Sequence, residues 1–571
     1  MRCSTIVGLM MLGFGLRAQW AFTADTTVTW EQAIARYAEL DRMHHGAKLI
    51  TFGNDDDGSP LHLFVIADGS GFTPDSIRAA GKNILWITNG IHPGEPDGVD
   101  ASLVLAQALL ESDQLMGLTV HTAVCIVPIY NVGGAKKRST PSRPDQDGPR
   151  VHGMRGNARN LDLNRDFMKA DARNTRSMHS ALAYWDPDVY LETHVSDGAD
   201  HQYVMELLTT QQDKLDPGLS AFMTGTLVPR LYQWMSGWGV LMCPYFETEG
   251  ETPEDGLMAF YDSPRYSTGY NALFDRIGIL AESHMLKPFP DRVNATFQLM
   301  LATLAAMNEH PDALQKVRME AKRRTAAMDA IGMNWVLDTA HVEQLPWKGW
   351  ATEHRPSAVS GLPRLYYDHA RPTDTTVPWK GRYRPSITKR KPSAYLIPRA
   401  WSTIGTALEH QGVTVERLTA GQRFNAEEDS IASFTTVQQP YEGHYLHRGI
   451  HCATRSREYV AQDGDLLVRT GQVADRLIME ALEPEGEDSY FAWGFFDSVL
   501  QQKEWFSDYA FEDIAAELLR KDPRLKAALE AERARDPEFA KDAWAQLYFV
   551  FQRSPWFEPG FRKYPVLRVV R

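Results

Sequence analysis

The sequence predicts an α/β fold: a mixed, largely parallel sheet flanked by helices, with β-rich and helical C-terminal accessory regions. Three observations lead there. Apolar runs that read as buried strands, Ile84–Thr88, Val120–Pro128, Asp188–Thr193 and Gly278–Ala281, alternate with helix-period segments. Candidate chemistry gathers where those runs end, the edge at which such sheets present their sites. Past residue 330 the pattern changes to crowded prolines and tryptophans with short alternating runs.

With 571 residues the chain exceeds one ordinary domain, and 43% hydrophobic and 11% aromatic content suffices for sizeable cores. The expected division is a signal peptide at 1–24, a catalytic unit at 25–325, a β-rich accessory domain at 330–475 and a helical, aromatic-rich region at 476–571. Arg2 followed by the apolar stretch Ile6–Leu16 has the form of a secretory signal and is too short to span a bilayer. A secreted or periplasmic protein, with no membrane span once the signal is removed, is therefore expected. A formal charge of −13 without a basic stripe argues against a nucleic-acid partner. Cys125, Cys243 and Cys452 are too few and too scattered for a disulfide framework or a C-x-x-C metal site, and allow at most one disulfide.

Taken in order, Thr29 is placed to cap a helix running to Asp41. Lys48–Phe52 and Leu61–Ile66 flank the turn Asp57–Pro60 as a hairpin. His44, His45 and His62 lie in a polar loop and on a strand face, where no ligand role is expected. The strand Ile84–Thr88 runs into Asn89-Gly-Ile-His-Pro-Gly-Glu-Pro-Asp-Gly98, and a helix over Val99–Leu110 follows. The next strand leads into a loop from Ile129 to about residue 160, a length that is commonly functional. A helix near 171–185, a strand ending at His194, a strand running up to Glu282 and a helix over about 291–309 complete the unit. Ala394–Ile397 and Val413–Leu418 read as β. The aromatic patch Tyr490–Phe496 reads as core that docks the tail, and residues 511–552 read as helical.

His92 and Glu95 stand three residues apart on the Gly/Pro turn, and His194 ends a later strand. Together they offer the three protein ligands of a catalytic zinc, with a fourth position left open. The loop Met154–Phe167 collects Arg155, Arg159, Asn164 and Arg165, and guanidinium forks with an amide suit capture of a carboxylate. Asp162 in the same loop can accept the spare N–H of a ligating histidine. Glu282, beside an apolar strand, sits where a partly desolvated carboxylate can act as a base.

The strings His92-Pro-Gly-Glu95, Asp162-Leu-Asn-Arg-Asp-Phe167, Thr193-His194 and Ala281-Glu-Ser283 together resemble the zinc carboxypeptidases of the carboxypeptidase A superfamily, the M14 metallopeptidases. The likeness covers about residues 25–320, and the remaining chain is similar to the long, secreted bacterial members. The resemblance implies one Zn2+ per chain on His92, Glu95 and His194, with Asp162 orienting His92. It implies Glu282 as the base that later delivers a proton to the leaving amine, and Arg155 at the developing oxyanion. Asn164 and Arg165 would hold the free C-terminal carboxylate of a peptide substrate. A mobile tyrosine is also implied: Tyr261 fits the spacing, while Tyr266 and Tyr270 compete for the role. The expected activity is hydrolysis of the C-terminal peptide bond. Two other readings stay open, a zinc amidase or deacylase acting on cell-wall peptides or N-acyl amino acids, and a non-catalytic zinc-binding recognition protein.

Overall fold

The computed structural model describes residues 25–570, so the signal expected over 1–24 lies outside the described residues. The first helix, α1 (Trp30–Met43), starts at a reciprocal cap in which Thr29 and Gln32 satisfy each other's backbone N–H groups. The N-terminal part then runs through β1 (Ala47–Asn54), β2 (Pro60–Ile66), β3 (Asn83–Thr88), β4 (Thr122–Val127), β5 (Val189–Ser196), β6 (Met205–Thr209), β7 (Met242–Pro244), β8 (Phe246–Thr248), β9 (Leu257–Ala259) and β10 (Ile277–His284). Eight of them form one sheet in the order β1-β2-β4-β3-β5-β10-β6-β7. The central four, β4-β3-β5-β10, are parallel, while β1, β2 and β6 pair antiparallel at the flanks.

Helices cover both faces: α2 (Asp97–Glu111), α3 (Arg173–Trp185), the short α4 (Ser267–Ala272), α5 (Phe289–Glu309) and α6 (Pro311–Ala327). A strand buried on both faces needs an apolar run, and Ile84–Ile87 supplies it between the polar ends Asn83 and Thr88 of β3. Its Leu85 and Ile87 enter the core shared with α1, α2 and α5, whereas Ile84 and Trp86 enter the opposite core with Met178, Leu182 and Trp185 of α3. Two strands outlast their apolar runs. β5 continues through His194 to Ser196, and β10 continues through Glu282 to His284, so both polar residues are held inside the sheet.

The accessory part begins with β11 (Ala330–Leu337), the long hairpin β12 (Glu343–Pro356) and β13 (Pro363–Lys380), and β14 (Tyr383–Arg390). Next come β15 (Ala394–Ile397), β16 (Glu416–Arg417), β17 (Arg423–Thr436), β18 (His447–Val460) and β19 (Leu466–Arg469). Helices α7 (Asp475–Leu482), α8 (Asp508–Lys521), α9 (Pro523–Arg535) and α10 (Ala543–Phe551) follow, and the chain closes on β20 (Leu567–Val569). β20 lies between β15 and β17, so the alternating Val566-Leu-Arg-Val569 run returns the helical tail to the accessory sheet. Tyr490, Phe491, Trp493 and Phe496 are fully buried and join the same core as Phe167, Trp185 and Tyr190. The aromatic patch is therefore core common to both parts of the chain. Cys125, Cys243 and Cys452 are all free thiols, and no helix among the described residues is long and apolar enough to cross a membrane.

Candidate active site

The turn after β3 is built for close approach. Gly90 adopts φ +62°, and a Cβ at Gly98 would stand 1.9 Å from Thr193 Oγ1 and 2.7 Å from Asn89 Oδ1. Thr193 in turn donates to Asn89 Oδ1 at 3.0 Å, which ties the end of β3 to β5. The glycine at 98 thus lets α2 start against β5, and this brings the His92–Glu95 turn over His194.

His92, Glu95 and His194 are buried and converge. His92 Nδ1 lies 3.2 Å from His194 Nδ1 and 3.2 Å from Glu95 Oε1, and His194 Nδ1 lies 3.1 Å from Glu95 Oε2. The far nitrogens are engaged elsewhere, His92 Nε2 with Asp162 Oδ1 at 2.9 Å and His194 Nε2 with Glu192 Oε2 at 2.9 Å. With the proton of each imidazole on Nε2, toward Asp162 or Glu192, the two Nδ1 lone pairs face each other at 3.2 Å beside Glu95. That contact is repulsive unless a cation stands between them. A tetrahedral zinc with bonds near 2.0 Å sets its ligands about 3.3 Å apart, and the three side chains fit that group. Burial lowers His194, but Glu192, Glu282 and Glu95 outweigh it and push it up to about 10, so the carboxylates favour a positive charge at this point, held by a proton on the imidazole or by a metal ion.

Carboxylates hold the outer positions. Burial penalises the Asp162 carboxyl, but His92, Arg155 and Arg165 hold it well below the usual range. Arg155 donates through Nε to Asp162 Oδ2 at 2.9 Å and reaches Glu95 Oε1 at 3.4 Å. Glu192 is fixed from below by Tyr190 and Ser267, each at 2.7 Å. Sequence reasoning missed Glu192 as a partner of His194, although its place two residues earlier on β5 puts both side chains on one face. It also missed Arg143, from the long loop after β4, whose Nη1 donates to Glu95 Oε1 at 2.9 Å. Burial raises the Glu95 carboxyl, but His92 and Arg143 bring it well below its ordinary value.

His92, Glu95, Arg143, Arg155 and His194 line a cavity of about 250 Å³ together with Asn164, Arg165, Val195, Ser196, Asp197, Leu208, Tyr245, Phe260, Tyr266, Thr268, Leu280 and Glu282. Glu282 stands across from His194 in the parallel register of β5 and β10. Burial pushes its carboxyl up to about 8, opposed by His194 and reinforced by Glu95 and Glu206. Asn164 is held by its own backbone N–H on Asp162 and by Ser267 N–H on its Oδ1. Arg165 stacks over the Tyr266 ring at 4.5 Å, with its nearest carboxylate, Asp162, at 3.8 Å. Arg159 turns away and bonds the Asp171 carbonyl.

The three tyrosines separate cleanly. Tyr266 lines the cavity. Tyr261 does not: its hydroxyl bonds Glu487 and its ring stacks on Tyr383, so it belongs to the junction with the accessory part. Tyr270 is buried against His179. Tyr245, which no spacing rule pointed to, reaches the cavity from the segment after β7. The accessory part also backs the site, because Glu442 accepts the Asp162 backbone N–H at 2.7 Å and His444 bonds Asp171 at 2.6 Å.

The zinc carboxypeptidase family model matches residues 36–222, a span that holds His92, Glu95, Asp162, Asn164, Arg165 and His194 but not Glu282. A protein named Carboxypeptidase 2 from Trichophyton rubrum is 23% identical over 454 residues, covering 76% of this chain and 77% of its own. Its namesake from Trichophyton equinum is 22% identical over 431 residues, covering 72% and 73%. Among solved structures, a metallo-carboxypeptidase from Burkholderia cenocepacia is similar at 17% identity and a TM-score of 0.39, over 51% of this chain and 70% of that one. Over residues 36–222 the chain is similar to the zinc carboxypeptidases, and over about three quarters of its length to the curated carboxypeptidases named above.

Proposed function

We propose that the protein is a zinc-dependent carboxypeptidase that removes residues from the free C-terminal end of peptides. The observation that carries the reading is the convergence of His92 Nδ1, His194 Nδ1 and the Glu95 carboxylate, with Asp162 and Glu192 behind the two imidazoles. A zinc ion held there supplies Lewis acidity, polarising a carbonyl and acidifying a water. Glu282, ionised, removes a proton from water at its carboxylate and returns it to the nitrogen of the departing amine. Arg155, anchored on Asp162, supports charge developing on the carbonyl oxygen.

Asn164 and Arg165 are assigned to the substrate's terminal carboxylate. The guanidinium fork of Arg165 is oriented by Tyr266 and by the Asn164 carbonyl at 3.0 Å, and bidentate capture would fix the chain end. Tyr266, and not Tyr261, is the tyrosine within reach of that end. Leu208, Phe260, Leu280 and Thr268 line the cavity along with Asp197, and a preference for apolar terminal side chains is proposed from these four uncharged residues. The catalytic unit is assigned to residues 25–325, with the stretches 330–475 and 476–571 as accessory regions behind the site. Export to the periplasm or medium belongs to the same proposal, and N-terminal sequencing of the mature protein tests it.

The test is a pair of matched peptides with free and amidated C termini. Chelator-sensitive loss of single residues from the free-ended peptide alone supports the reading. Equal cleavage of both overturns the exopeptidase assignment, and zinc retention without cleavage of either redirects the search to acyl-amino-acid or cell-wall amides.

A further inference from the structure

Next to the catalytic cavity lies a second convergence of His201, Glu206 and His284, which no step above uses. All three are buried, and Ser196 joins them. Glu206 Oε1 stands 3.0 Å from His201 Nε2, 3.1 Å from His284 Nδ1 and 2.7 Å from Ser196 Oγ, while Ser196 Oγ is 3.2 Å from His284 Nδ1. The four come from adjoining pieces of the sheet. Ser196 ends β5, His284 ends β10 opposite it, Glu206 lies on β6 opposite Glu282, and His201 is in the connection between β5 and β6. From this arrangement we propose a second, buried zinc site on His201, Glu206 and His284, with Ser196 beside it.

Three features favour an ion over a plain hydrogen-bond cluster. The composition repeats the first site, two imidazoles and one carboxylate with N···O separations of about 3 Å, and the three side chains are closed off from solvent. Among the described residues Glu206 is paired with the two imidazoles and with no Lys or Arg, and Glu282 lies opposite it in the strand register. A divalent cation would balance a buried carboxylate there. Finally, His201 Nδ1 and His284 Nε2 are buried without a hydrogen-bond partner. Around His201 the neighbours are the rings of Tyr203, Phe246 and Trp347, at 5.5 to 5.9 Å. Aromatic π-systems accept an N–H and offer nothing to a lone pair. They suit the tautomer that keeps N–H outward and directs the Nε2 lone pair at the cluster.

The proposal is independent of the activity, and it is tested by counting metal. The full chain is loaded with zinc sulfate, dialysed against metal-free buffer and measured by plasma mass spectrometry. Two zinc ions per chain are expected for the wild type, falling to one in Glu206→Gln and in His201→Phe. The double variant His92→Ala/His194→Ala leaves the cluster intact and should also retain one ion, with imidazole and oxygen ligation in its X-ray absorption spectrum. That variant keeps the test decisive if the His201 and Glu206 variants do not fold. One zinc in the wild type and none in the double variant would overturn the second site and leave the catalytic reading standing.

Discussion

Glu282 is a carboxyl that the fold keeps poorly solvated, raised to about 8 chiefly by burial. The base requires the ionised form, so turnover should be present above its folded pKa and fall as pH drops through it. A divalent ion on His92, Glu95 and His194 favours the carboxylate, so in the zinc-loaded protein this acidic limb should lie below pH 8. A kcat/KM profile checks it; activity unchanged or rising toward acid pH would contradict a carboxylate base. Glu282→Gln should cut kcat by about 10²- to 10⁴-fold while zinc content stays constant, the range for removing a positioned base. Arg165→Ala should act differently, raising KM for free-ended peptides roughly 10- to 100-fold, as expected when a charge-assisted hydrogen bond is lost. Steady-state kinetics on one peptide series separate the two. At this scale His92, Glu95 and His194 were legible because ligand types stood at a turn and at a strand end. Glu192 was legible only in principle, from its two-residue offset on β5. Arg143 was not, because it arrives from a loop without periodicity.

The elements explain why those side chains meet. Apolar runs marked β3, β4, β5 and β10 because strands covered on both faces tolerate little else, and the observed sheet follows that pattern. The runs were less informative about strand ends. His194 and Glu282 lie inside β5 and β10 because pairing with neighbouring strands continues past the last apolar residue. Nor could spacing choose among Tyr261, Tyr266 and Tyr270, whose positions depend on how the segment before α4 packs against the accessory part. The close contact of α2 with β5 yields a prediction at this scale. Gly98→Ala would drive a methyl into Thr193 and Asn89, so it should destabilise the fold by about 1–3 kcal/mol and loosen zinc retention. Gly117, with nothing within 4 Å of an added Cβ, supplies the control: Gly117→Ala should leave the melting temperature nearly unchanged. Equal melting temperatures for the two variants would remove the close-packing argument.

Over the whole molecule, the catalytic and accessory parts share one hydrophobic core. Trp86, Phe167, Trp185 and Tyr190 pack in the same cluster as Leu477, Ile478, Trp493 and Phe496. Ion pairs and hydrogen bonds add to it, with Arg265 on Asp488 and Glu442 on the backbone of Asp162, the partner of His92. A chain ending at Ala327 should therefore lose cooperative unfolding and expose apolar surface, as calorimetry and solubility would show. A soluble fragment with full activity would contradict the shared core. Composition foretold β and helical accessory regions, and the aromatic patch read as core. The return of β20 into the accessory sheet was beyond reach, since a three-residue strand carries almost no local signal and is fixed by its neighbours.

The central claim is that one zinc-centred cavity releases single residues from free C termini. Its most direct test incubates a mixed peptide library with the zinc-loaded full chain beside the Glu282→Gln variant and identifies products by mass spectrometry. Stepwise loss of C-terminal residues, richest for apolar ones, abolished by chelator and absent in the variant, is the predicted result. Internal cleavage, equal attack on amidated ends, or full activity in the variant would contradict it.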